Sequence, residues 1–132
     1  MKPLKTHAAA VEEAARHVAV AEERASELRR QLKEAEDEVW RRATDLCDAE
    51  RRLIRGSARR MAGRCPAVND HALVAAARRL RTAHIAYDEA TAVWQAAVDQ
   101  YRRAEHELAE AGREHRILLM STEEVDLIEA PQ

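Results

Sequence analysis

Two interleaved columns of apolar residues run along most of this chain. Every seventh residue from Leu73 reads Leu73, Leu80, Tyr87, Trp94, Tyr101, Leu108 and His115. Three positions later stand Ala76, Ala83, Ala90, Ala97, Ala104, Ala111 and Leu118. Two apolar positions in every seven, sustained this long, predict a helix that winds left-handedly against another helix. The complementary helix lies upstream. Leu4, Val11, Val18, Ala25, Leu32, Val39, Leu46 and Leu53 form its first column, and Ala14, Ala21, Leu28, Ala35, Arg42 and Ala49 its second. The expected fold class is all-α: a long antiparallel two-helix coiled-coil hairpin with an alanine-rich seam, in one domain over 1–132.

The boundaries follow from the breakers. Thr6 is placed to cap a first helix over about 6–62, in which Gly56 is the sole breaker. Gly63, Arg64, Cys65 and Pro66 stop it, since glycine suits a left-handed C-terminal cap and proline cannot continue the hydrogen-bond ladder. After a turn at 63–69, Asn69 or Asp70 caps a second helix over about 70–120. Ser121-Thr122-Glu123-Glu124 reads as a capping box opening a short last helix within 121–132; unbroken continuation is the alternative, because Val125 keeps the heptad phase. On the outer face the pairs Glu12 with Arg16, Asp37 with Arg41, Glu38 with Arg42 and Asp48 with Arg52 stand at i, i+4, each contributing a few tenths of a kcal/mol. Burial of the seam is the larger force.

Short connections make neighbouring helices antiparallel, so the large column of each helix faces the alanines of the other. Partners whose residue numbers total 129 pair Leu53 with Ala76, Ala35 with Trp94 and Leu28 with Tyr101. A slip of one heptad, totalling 136, preserves the pattern and would set Arg42 over Trp94. The first register is preferred because it also pairs Val11 with Leu118. About 50 residues per helix at roughly 1.5 Å each make a rod on the order of 75 Å.

Further apolar positions lie off this seam. Trp40, Cys47, Ile54 and Met61 repeat every seven residues on a face of the first helix that the hairpin does not use, and Ala86, Val93 and Val98 widen the stripe of the second. Stripes this broad belong to helices with more than one neighbour. Trp40, Cys47, Ile54, Met61, Val93 and Val98 are therefore the expected self-association face, with a homodimeric four-helix bundle as the product. The bland reading is that Ile117 to Met120 or scattered surface contacts cover them.

Composition adds charge to this picture. The net charge is −2, yet nine arginines (Arg51, Arg52, Arg55, Arg59, Arg60, Arg64, Arg78, Arg79, Arg81) and a single acid, Asp70, occupy the stretch around the turn. An arginine-rich tip suits an acidic protein surface or a phosphate backbone, because guanidinium pairs with both bidentately. It contains no aromatic residue to stack on bases, which argues against reading of single strands. Arginine in place of lysine, with abundant alanine, points to a GC-rich bacterial or phage genome.

Other chemistry finds little support. With no run of 18 apolar residues and no hydrophobic h-region, neither a membrane span nor a secretory signal is expected, and the expected localisation is cytoplasmic. Cys47 and Cys65 are expected as free thiols. Two turns together would gather two Cys65 and two His71, but Val68 stands where a Cys-x-x-Cys zinc site needs its second cysteine, so no metal and no cofactor is expected. His7, His115 and Arg42 fall in seam positions, where polar residues set register, with His17 beside them and Arg42 within reach of Tyr87. With no phosphate loop, nucleophile–base pair or cleft, neither an enzyme nor a small-molecule substrate is expected. The acidic-hydrophobic tail, Val125, Leu127 and Ile128 among Glu123, Glu124, Asp126 and Glu129, either folds back over Leu4 and Val11 or docks on a partner. The leading expectation is a non-catalytic interaction module that homodimerises and offers its basic tip to an acidic partner. The alternative is a nucleic-acid accessory protein gripping phosphates without reading sequence.

Overall fold

A computed structural model describes the backbone of residues 6–61 and 70–129, and the side chains of residues 6–59 and 71–121. These form two helices, α1 at His7–Met61 and α2 at Asp70–Glu129, with no strand among the described residues. Thr6 starts α1 as anticipated. Its hydroxyl accepts from the Ala9 N–H at 3.2 Å, and its carbonyl accepts from the Ala10 N–H at 3.0 Å as the first helical bond. The turn expected at 63–69, with Arg64, Cys65 and Pro66, lies outside the described residues.

One boundary is corrected. Helix α2 does not end near Met120 but continues through Ser121 and Thr122 to Glu129. Serine and threonine cost a helix interior only a few tenths of a kcal/mol each, too little to break a helix that meets no glycine or proline between Gly112 and Pro131. The capping-box spelling was outweighed by continuity.

The chain divides into two compact units: Met1–Gln31 with Val98–Gln132, and Leu32–Ala97. Each contains a stretch of both helices running antiparallel. In the second unit Gly56 lies against Leu73, whose Cδ2 would stand 2.9 Å from a Cβ at position 56. That contact belongs to the register totalling 129; in the slipped register Gly56 would face Leu80. In the first unit the His7 ring Nε2 donates to the Leu118 carbonyl at 3.1 Å, and Arg29 lies close enough to Tyr101 to act on its hydroxyl electrostatically. Both observations fit Leu28 facing Tyr101.

The described residues of the predicted columns are all buried or half-buried. Among the described residues the buried ones are all alanines: Ala14, Ala25 and Ala104 in the first unit, and Ala35, Ala49 and Ala90 in the second. The large residues opposite Ala35, Ala49 and Ala90, which are Trp94, Leu80 and Val39, are half-buried. In a pair of helices each large side chain covers a small residue across the seam and keeps its own outer flank in water. Among the described residues no third helix closes that flank. In one layer small meets small, where Ala25 faces Ala104, and Ala104 is the most buried residue described, 3% exposed.

Candidate interaction surface

Trp40 and Ile54 project into solvent from α1, 69% and 66% exposed, and Cys47 between them is exposed and free. At 100° per residue these positions lie to one side of the seam, beyond Ala43, which is half-buried. Thr44 beside them turns its hydroxyl inward and donates to the Trp40 carbonyl at 3.0 Å, so it adds no unmet polar demand to the face. The side chain of Met61, the fourth member of the repeat, lies outside the described residues.

The structure does not gather the rest of the expected face around Trp40. Val93 is 62% exposed but lies on the other flank of the seam, in a shallow groove with Ala35, Glu38, Arg42, Ala86, Glu89 and Ala90. Val98 is half-buried and belongs to the first unit. Sequence reading grouped them because each widens a stripe; the sense in which it widens is visible once the seam's two sides are distinguished.

The described arginines of the basic stretch, Arg51, Arg52, Arg55, Arg59, Arg78, Arg79 and Arg81, are all exposed, and all lie in the second unit. Among the described residues none of them is held in an ion pair. Arg52, Arg78 and Arg79 line an open trough with Asp45 and Asp48. The side chains of Arg60 and Arg64 lie outside the described residues.

Elsewhere arginine is neutralised along its own helix. Glu38 accepts from Arg41 at 2.7 Å and from Arg42 at 2.8 Å, and Arg42 also reaches Asp45 at 3.8 Å. Glu38 thus takes both arginines, where Asp37 was the expected partner of Arg41. Arg42, one of the polar residues of the seam, is satisfied within α1. In the first unit Arg30 donates through Nε to Glu27 at 3.1 Å. The hydrogen bonds from Arg30 and then Gln31 hold the Glu27 carboxyl below the usual carboxylate range. Glu105, hydrogen-bonded to the Tyr101 hydroxyl, pushes that phenol above its ordinary value.

Gly56 is a seam position that the columns read from the sequence leave out. A lone glycine in a helical run reads as a breaker, yet this one continues the column Ala35, Arg42, Ala49 by one heptad and receives Leu73. The signal was present in the spacing.

No helix of the described residues is long and apolar enough to cross a membrane, and among them no three His, Cys, Asp or Glu side chains converge as a metal site. No protein-family model, curated protein or solved structure matches the chain.

Proposed function

We propose that this protein is a non-catalytic interaction module, a coiled-coil hairpin that self-associates through the α1 face bearing Trp40, Cys47 and Ile54 into a four-helix bundle. It offers its arginine-rich stretch to an acidic protein partner. The observation that carries self-association is the exposure of Trp40 and Ile54 at heptad spacing outside the seam. Burying a tryptophan and an isoleucine releases roughly 1.5–3 kcal/mol each, and a spacing of seven is the spacing a neighbouring helix reads.

The test is the mass of the protein in solution. Trp40→Glu with Ile54→Glu places two charges on the face and leaves the seam untouched, so helicity by circular dichroism is retained and light scattering returns half the wild-type mass. An unchanged mass overturns the proposal.

A second reading has its own support in the exposed arginines of this stretch, seven of which are without ion pairs among the described residues. On that reading the same stretch grips nucleic-acid phosphates without sequence preference.

A further inference from the structure

The stripe of Trp40, Cys47 and Ile54 carries opposite charge at its two ends. Glu36 and Asp37 precede it along α1, and Arg55 and Arg59 follow it; all four are exposed, with no ion pair holding any of them among the described residues. Cys47 is equidistant from Trp40 and Ile54, and the arginine pair is centred as far beyond Cys47 as Asp37 lies before it. We infer that self-association through this face is antiparallel, with a two-fold axis passing beside Cys47, so that Trp40 of each copy packs against Ile54 of the other. This rests on the self-association proposed above and adds its direction.

A symmetric pair of helices has two choices. Set parallel, the copies lay Glu36 and Asp37 beside the same two acids and the arginines beside the same arginines. Like charges held together across an interface are a strong penalty. Set antiparallel about Cys47, Asp37 comes to within about 3 Å, measured along the axis, of the height of Arg55 in the second copy. Symmetry supplies that pair twice. The packing agrees with the charge: Ala43 and Thr44 then lie across from Glu50 and Arg51 of the second copy. Two small residues leave room for the aliphatic stems of two long ones, whose charged ends reach water.

Nitroxide labels on the full chain decide the direction. With Cys65→Ser, a label on Cys47 sits at the axis and reports a short distance between copies in either arrangement. With Cys47→Ser, Cys65→Ser and Arg59→Cys, the label stands twelve residues from the axis, so the antiparallel dimer gives a separation of about 36 Å at 1.5 Å per residue. A short distance at both positions means a parallel pair and overturns the inference while leaving self-association standing. Absence of dipolar coupling at Cys47, with a monomeric mass, overturns self-association itself. As an independent readout, Asp37→Arg is expected to weaken the dimer several-fold, and Asp37→Arg with Arg55→Asp to restore it. If the double exchange is no tighter than the single one, the pairing of Asp37 with Arg55 is wrong.

Discussion

Gly56 and Gly112 are chemically the same and energetically different. Both sit inside helices, where glycine costs about 0.8–1 kcal/mol relative to alanine. A methyl at Gly112 meets nothing within 4 Å, so Gly112→Ala should raise stability by about 0.5–1 kcal/mol. At Gly56 the methyl would stand 2.9 Å from Leu73 Cδ2. That atom is the end of a rotatable, half-buried side chain, so Gly56→Ala is tolerated with less gain, and Gly56→Leu, which has nowhere to go, destabilises. Urea unfolding of the three variants gives the order Gly112→Ala, Gly56→Ala, Gly56→Leu from most to least stable. A Gly56→Leu variant as stable as wild type would mean that Leu73 does not occupy the seam at this layer.

At the scale of the helices, stability depends on layers in which one side is small. Ala104 shows how little room the seam leaves, since it is buried even where its partner is another alanine. Overpacking a filled site costs typically 1–3 kcal/mol, so Ala104→Leu should lower the unfolding free energy by about that amount. Ala109, exposed on the same helix, is the control, and Ala109→Leu should change stability by less than about 0.5 kcal/mol. Equal effects at the two positions would contradict the burial of the alanine column. The continuation of α2 past Ser121 belongs to this scale too. Its capping-box residues describe how a helix can start, and a helix already propagating has no need to start again, because nucleation is the costly step.

For the molecule as a whole, a net charge of −2 conceals the exposed arginines on which both the acidic-partner reading and the nucleic-acid one rest. Phosphate contacts release condensed counterions, so affinity for duplex DNA or RNA that depends on them falls steeply with salt. Changing Arg55, Arg59, Arg60 and Arg64 to Glu should flatten that slope and weaken binding at low salt, if nucleic acid is the target. Absence of binding by the wild-type protein at low salt removes the nucleic-acid reading and leaves an acidic protein surface as the partner. Self-association and charge are separable here. Trp40→Glu with Ile54→Glu alters the first, and the arginine exchange addresses the second.

The sequence by itself determined the two helices, the columns they bury and the positions left outside the seam. Each of these follows from periodicity along one chain, because side chains seven apart return to the same face of a helix. It also marked Trp40, Cys47 and Ile54 as surplus to the hairpin. The tertiary structure decided what depends on two stretches meeting. Registers totalling 129 and 136 have the same heptad pattern and differ only in which volumes coincide, and the fit of Leu73 against Gly56 breaks the tie. It also decided which flank each apolar residue occupies, parting Val93 from Trp40. A column in a sequence has no left or right until a second helix lies against it.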